Sequence, residues 1–102
     1  MKSLGLLALS VLALAAVNPA RALDAPPIYA KKCELCHSIG GVGGKKKDTG
    51  GKLDGVGSKR DEAWIRAYLE DPKSKIPDSR MKKLNISPED TDAVVAYMMS
   101  LK

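Results

Sequence analysis

Two cysteines and a histidine form the most reactive cluster of the sequence, in the segment Cys33-Glu34-Leu35-Cys36-His37. Two thiols three residues apart on a helical turn can each add to one vinyl group of a haem. A histidine directly after the second thiol can then bind the iron from the same side. The spacing therefore predicts one covalently attached haem c, held by Cys33 and Cys36, with His37 as an iron ligand.

Two other roles for these cysteines fit the rest of the sequence less well. A thioredoxin-like dithiol enzyme needs β-strands, and we find no strand pattern in the chain. A redox dithiol also gives no reason for a histidine immediately after the second cysteine. A structural zinc site needs four ligands, whereas the chain offers two cysteines and one histidine before carboxylates are recruited. Haem attachment is therefore the interpretation that we adopt.

The second iron ligand is a separate question. His37 is the only histidine, which leaves methionine, lysine, water or an open site. Met98 and Met99 belong to a predicted helix, where methionine usually fills a core. Met81 instead lies in an irregular segment 44 residues after His37, and a loop can bring its thioether over the opposite haem face. We therefore predict Met81 as the second ligand, with a surface methionine as the alternative.

The elements before and after the motif must position these side chains. Pro27 is well placed as the first residue of a helix that runs towards Cys36. Residues 40–57 are rich in glycine and poor in apolar residues, without a helix or strand period. They predict a loop that must wrap around something to be ordered.

Two further helices are predicted in the second half of the chain. The first follows Ser58 and Asp61, which resemble a capping pair, and ends before Pro72. Its apolar face is formed by four residues, Trp64, Ile65, Tyr68 and Leu69. The last helix has Ser87 as its N-cap, a proline at its first position and acids in its first turn. Residues 71–86 between them predict an irregular segment.

Residues 1–22 have the features of a secretory signal peptide. Lys2 precedes an apolar run from Leu4 to Val17, and the small-residue pattern Ala20-Arg21-Ala22 follows. The run is shorter than the ~20 residues that a membrane-spanning helix needs. We therefore expect cleavage, export to the periplasm and no membrane anchor, with a retained anchor as the alternative.

The remaining residues, 23–102, predict one small domain. Its 80 residues include no Phe, one Trp and three Tyr, so a large flat cofactor would help to fill its core. Removal of residues 1–22 takes away Lys2 and Arg21, so the formal charge falls from +5 to +3. The acids are well mixed with the bases, unlike the basic stripe of a nucleic-acid-binding protein. We therefore expect no nucleic-acid partner.

With these residues in place, the chain resembles the class I monohaem cytochromes c, particularly the short bacterial and algal type. Besides the haem motif, the resemblance rests on residues 53–57 (LDGVG), 61–65 (DEAWI) and 95–102 (VAYMMSLK). It implies an all-α fold, a small cytochrome c fold with three or more helices wrapped around one covalently bound haem. It also implies that Met81 is the axial methionine, that the first and last helices pack near Tyr29 and Tyr97, and that Trp64 lies near a haem propionate.

Three positions depart from the pattern of these relatives. Gly51 replaces a usual proline whose carbonyl accepts a hydrogen bond from the axial histidine. Lys82 replaces the proline that commonly follows the axial methionine. Leu84 stands where many relatives have an aromatic residue beside the haem. The first two departures predict that the bond between Met81 and iron is the weakest of the site.

The predicted function is one-electron transfer by a soluble exported carrier, not an enzyme, with a haem ligated by His37 and Met81. Lysines at 31, 32 and 45–47 would ring the exposed haem edge and favour redox-partner proteins with acidic docking surfaces. We expect a monomer. Two alternatives stay open, namely a gas-binding or peroxidatic haem protein with an open or labile sixth site, and a haem subunit of a larger oxidoreductase.

Overall fold

A computed structural model describes residues 23–45 and 50–102, and in them it places five helices and three short strands. The helices are α1 (Pro27–Lys32), α2 (Val56–Lys59), α3 (Glu62–Glu70), α4 (Pro72–Lys75) and α5 (Pro88–Ser100). The strands are β1 (His37–Ile39), β2 (Val42–Gly43) and β3 (Gly51–Lys52). The predicted signal peptide, residues 1–22, lies outside the described residues. Among those described, no helix has the length and apolar character needed to cross a bilayer.

The last helix, α5, begins where the sequence predicts. The Ser87 side chain accepts a 3.0 Å hydrogen bond from the backbone N–H of Asp90, and Pro88 occupies the first helical position. The start of a helix leaves its first backbone N–H groups without partners inside the helix. The Ser87 side chain accepts from one of them, and Pro88 has no N–H to be satisfied. The acids in this first turn also interact favourably with the positive end of the helix dipole.

Of the expected capping pair, Ser58 and Asp61, only Asp61 caps the helix α3. The Asp61 side chain accepts a 2.8 Å hydrogen bond from the backbone N–H of Trp64. Ser58 belongs instead to the preceding short helix α2, so its expected capping role is wrong. Pro72 follows α3 as predicted, but it also starts the short helix α4, so the segment expected to be irregular has one helical turn at its beginning.

A small sheet with strand order β2-β1-β3 corrects the expectation that the chain has no strands. Ile39 pairs with Val42 across the two-residue turn Gly40-Gly41, and both glycines have positive φ, of 59° and 83°. Such a turn is typical of tight hairpins. Strands of two or three residues are too short for an alternating pattern to appear, which explains the error.

The core lies where α1, α3 and α5 meet. Its buried members are Tyr29, Cys33, Ile65, Leu69, Val94, Val95, Tyr97, Met98 and Leu101. The rings of Tyr29 and Tyr97 meet edge to face with centroids 5.3 Å apart, so the first and last helices pack at the expected place. Gly57 of α2 lies so close to the carbonyl of Met99 that a Cβ would not fit there. These contacts fix α2 and α3 against α5 and leave a cavity between them and the cysteine motif.

Candidate functional site

The cysteine motif continues from the end of α1 as further helical turns. The backbone N–H of Cys33 donates to the carbonyl of Tyr29 at 2.9 Å, and that of His37 donates to the carbonyl of Cys33 at 3.0 Å. His37 is also the first residue of β1. The local backbone therefore holds the two thiols on one turn and passes directly into the strand that carries the histidine.

The two cysteines do not form a disulfide in this structure, although they are only three residues apart. Cys33 is buried and Cys36 is partly exposed. Burial raises the pKa of the Cys33 thiol to about 11. Dithiol enzymes depend on a thiol with a lowered pKa, so this environment does not support a dithiol enzyme.

His37 is held by the strand pairing of the small sheet. In the parallel pair of β1 and β3 it lies opposite Gly51, and its Nδ1 is 3.2 Å from the Gly51 carbonyl oxygen. A carbonyl can only accept, so Nδ1 carries the hydrogen and Nε2 keeps its lone pair. Burial lowers the pKa of His37, and the hydrogen bond to Gly51 partly opposes this effect. The neutral ring is thus oriented with one nitrogen ready to bind a metal.

The loop beside His37 needs glycine at two successive positions. A Cβ on Gly50 would overlap the carbonyl of Cys36 and lie 3.0 Å from His37 Nδ1. Gly51 has φ of +106°, which proline cannot adopt because its ring fixes φ near −65°. A proline at position 51 would therefore require a different backbone path in this loop.

Met81 is positioned by side-chain hydroxyl groups. Its backbone N–H donates to Ser79 Oγ at 3.2 Å, and Ser79 Oγ lies 2.6 Å from the hydroxyl oxygen of Tyr68. Ser79 is buried, and Tyr68 belongs to α3. The segment after α4 has no helix or strand until α5, so these two hydroxyls connect the Met81 loop to the helical core.

His37 and Met81 line one cavity of about 250 Å³, together with Cys33. Most of the remaining lining is apolar, formed by Leu53, Val56, Ile65, Leu69, Ile76, Val94 and Met98. Two exposed cations, Lys59 and Arg60, also line it and therefore lie where it opens to solvent. An apolar macrocycle with two carboxylate arms fits such a lining, because its ring is buried and its charges can face the cations.

A stack of three side chains forms one wall of this cavity. The Arg60 guanidinium lies 4.2 Å from the centre of the Trp64 ring, within the range of a cation–π contact. The rings of Trp64 and Tyr68 are stacked, with centroids 5.2 Å apart and planes within 6°. Trp64 is thus placed at the cavity with a cation beside it, while its predicted contact with a propionate stays a prediction.

The structure brings together the predicted site residues Cys33, His37 and Met81, and it places Cys36 on the adjoining turn. Met98 is buried in the core, as predicted, although it also lines the cavity. Leu84 lines a different cavity, beside Arg66 and Glu70. Lys46 and Lys47 lie outside the described residues.

Sequence reasoning missed the support for Met81. The sequence predicts Tyr68 only as part of the apolar face of a helix and Ser79 only as part of an irregular segment. A hydroxyl residue two positions before a candidate ligand is a weak signal, because serine is common in loops. The sequence also gives no signal for the contact of Arg60 with Trp64, because Arg60 is in extended backbone before α3 and only the fold brings its guanidinium over the ring.

Comparisons with known proteins give a consistent result. The family model described as cytochrome c matches residues 24–102. The chain is 35% identical over 96 residues to cytochrome c2 iso-2 of Magnetospirillum fulvum, with 76% of this chain and 99% of the relative covered. It is 31% identical over 99 residues to cytochrome c2 iso-1 of Magnetospirillum molischianum, with 78% and 99% covered. No solved structure matches the chain at a significant level.

Proposed function

The chain belongs to the cytochrome c family, and from this premise we propose that it carries single electrons between other proteins through a haem ligated by His37 and Met81. Membership implies one covalently bound haem c and the expected helical cytochrome c fold. The sequence expectation of family, fold class and cofactor is thereby confirmed. The residues that hold the haem, and its ligation, are part of the proposal.

One observation carries the proposal: a histidine and a methionine line the same largely apolar cavity, which Cys33 of the cysteine motif also lines. Cys33 and Cys36 would form the thioether bonds. His37 would offer Nε2, because its Nδ1 is occupied by the Gly51 carbonyl. Met81 would offer its sulfur. Histidine with methionine is the ligand pair of electron-carrying cytochromes c, and it raises the reduction potential.

Bound haem supplies a couple between iron(III) and iron(II). The protein's contribution is to keep the surroundings fixed when the charge changes. The hydrogen bond to Gly51 orients His37, and the Ser79 hydroxyl holds the backbone of Met81. With both ligands in place the iron has no free position for a substrate, which favours a carrier over a catalyst. The apolar lining excludes water and so favours the less charged iron(II) state.

The wider setting of the carrier belongs to the same proposal. Residues 1–22 would direct export and be removed, which leaves residues 23–102 as a soluble, monomeric periplasmic domain. The exposed Lys31, Lys32 and Lys45 would favour redox-partner proteins with acidic docking surfaces.

Optical spectra test this ligation most directly. The full-length chain would be expressed in a host with haem-attachment machinery and compared with Met81→Ala. The native protein should have a six-coordinate, low-spin spectrum with the weak sulfur-to-iron(III) charge-transfer band. Met81→Ala should lose that band and become high-spin. Met99→Ala is the matched control, because Met99 packs against the core and is not among the cavity-lining residues.

A different spectrum would redirect the functional assignment. If the native protein is high-spin and its spectrum shifts on addition of carbon monoxide or cyanide, the sixth position is open, and ligand binding or peroxide chemistry replaces electron transfer. If the charge-transfer band survives in Met81→Ala, another methionine is the ligand.

A further inference from the structure

The first described residue of the chain contacts the end of the last helix. The backbone N–H of Leu23 donates a 3.0 Å hydrogen bond to Ser100 Oγ, across 77 positions of the chain. Ser100 Oγ in turn donates to the Tyr97 carbonyl at 2.6 Å. That carbonyl belongs to the last turn of α5, where carbonyls have no partner further along the helix. Leu23 is therefore connected through one hydroxyl to the C-terminal end of α5.

The sequence of α5 supplies charge at only one of its two ends. Glu89 and Asp90 stand in its first turn, at the positive end of the helix dipole. The last turn, which the structure describes in full, contains no basic residue. Lys102 follows the helix, but its Nζ donates to the Gly57 carbonyl of α2 at 3.1 Å. The negative end of α5 thus has the Ser100 hydroxyl but no cation from its own helix.

The predicted cleavage site lies immediately before Leu23. The pattern Ala20-Arg21-Ala22 is the kind of small-residue motif after which a signal peptide is cut. In the uncut chain the Leu23 nitrogen is an uncharged amide. A cut after Ala22 turns it into a primary amine, which is mostly protonated at neutral pH because an α-amino group titrates at about pH 8. Cleavage would therefore place a positive charge on the nitrogen that lies 3.0 Å from Ser100 Oγ.

We propose that removal of residues 1–22 creates the C-terminal cap of α5, because the new ammonium group of Leu23 donates to Ser100 Oγ and offsets the negative end of the helix dipole. An ionised donor makes a stronger hydrogen bond than a neutral amide, and a cation at a helix C-terminus is stabilising. This inference rests on the proposed removal of residues 1–22 and adds a role of the cut in folding. The uncut chain lacks the charge, so its α5 is less stable than that of the exported domain.

The capped end of α5 also holds one wall of the haem cavity. The Leu101 carbonyl, directly after α5, accepts a 2.8 Å hydrogen bond from the backbone N–H of Gly57. Gly57 belongs to α2, whose Val56 and Lys59 line the cavity. Fraying of the last turn of α5 would therefore loosen α2, and a cap at this turn keeps that wall in place.

Thermal unfolding of the exported, haem-loaded protein tests the cap. The full-length chain would be expressed in a host with export and haem-attachment machinery, and the intact mass of the product should correspond to residues 23–102 plus one haem. A second form carries Gly-Ser inserted between Ala22 and Leu23, which leaves the cleavage pattern intact and moves the amine about 7 Å along the chain. We expect the insertion to lower the unfolding midpoint by about 4 °C at low salt. The loss should shrink at high salt, where charges are screened.

Two serine variants show whether the charge acts at Ser100. In Ser100→Ala the acceptor is absent, so the insertion should lower the midpoint by no more than about half as much as in the native background. Ser74→Ala is the matched control, because Ser74 Oγ also donates to a carbonyl three residues earlier, that of Asp71, but in α4. In Ser74→Ala the insertion should lower the midpoint as much as it does in the native protein.

Several results would overturn the inference. The mature chain could begin at another residue, or the insertion could leave the midpoint unchanged at low salt. An equally large loss in Ser100→Ala, or at high salt, would mean that the inserted residues disturb packing and that the charge has no role. A product that retains residues 1–22 would contradict the proposed cleavage as well. Failure of the electron-carrier proposal looks different, because it is read from the optical spectra of the native protein and Met81→Ala, which the insertion does not change.

Discussion

The two sides of the haem cavity are built in different ways. On the His37 side, a strand pair, the Gly51 carbonyl and Gly50, which has no room for a side chain, fix the histidine. On the Met81 side, the chain has no regular structure, and it is joined to the core by the hydroxyls of Ser79 and Tyr68 and by apolar side chains that pack against the core. Backbone ladders resist local opening more than single side-chain contacts do. The comparison therefore indicates that the methionine side opens first.

The largest expected effect comes from introducing proline on the histidine side. Gly51→Pro should lower the free energy of unfolding of the haem-loaded protein by about 3 kcal/mol or more, because proline cannot adopt φ of +106°. The Gly51 carbonyl would also leave His37 Nδ1. Denaturant unfolding measures the change.

The matched change on the methionine side, Lys82→Pro, should strengthen the site instead of weakening it. Lys82 is exposed, and in the described part of the chain its N–H donates no hydrogen bond. Lys82→Pro should therefore fit, stiffen the loop and raise the pH at which the sulfur-to-iron band disappears. If Gly51→Pro leaves the free energy of unfolding unchanged and Lys82→Pro lowers the pH at which the band disappears, the methionine side is the more rigid of the two. The comparison made above would then be wrong.

A smaller loss is expected when the hydroxyl link is removed. Ser79→Ala leaves the Met81 N–H and the Tyr68 hydroxyl without their shared partner, at a cost of about 1 to 3 kcal/mol. The sulfur-to-iron band should disappear at a lower pH, as an alkaline titration of the optical spectrum would record. Ser58→Ala, an exposed serine on α2, is the control. Equal titration midpoints in the two variants would mean that the hydroxyls do not hold Met81.

The same contrast explains what the sequence could predict. The cysteine motif, the Ser87 cap and Pro88 act through neighbours in the chain, so their roles follow from spacing alone. The hairpin turn at Gly40-Gly41 had a local signal too, but its strands are too short to show a period. The contact of Ser79 with Tyr68 joins residues 11 apart through side chains, and no local rule specifies it. Tertiary packing decides such contacts.

The smallest expected effect is a gain of stability from removing the Tyr29 hydroxyl in α1. The Tyr29 hydroxyl is buried and has no hydrogen-bond partner in the described part of the chain. Tyr29→Phe should therefore raise the free energy of unfolding by about 1 kcal/mol at pH 7, since an unsatisfied buried group is removed. Tyr68→Phe deletes a hydroxyl that is bonded to Ser79 and should be destabilising instead. Denaturant unfolding of the haem-loaded proteins measures both.

The pH dependence gives an independent test of the same hydroxyl. Burial, with a smaller effect of Cys33, raises the pKa of Tyr29 from 10.0 to about 12. Below pH 10 the tyrosine is protonated in both states, so its ionisation does not change stability there. Between pH 10 and about 12 it ionises in the unfolded chain first, and the folded state loses stability as the pH rises. Tyr29→Phe should lose less stability across this interval than the native protein. If the stability of the native protein and of Tyr29→Phe fell in parallel as the pH rises, the Tyr29 hydroxyl would have access to water or a partner. The helix that leads into the cysteine motif would then bury no unsatisfied polar group at Tyr29.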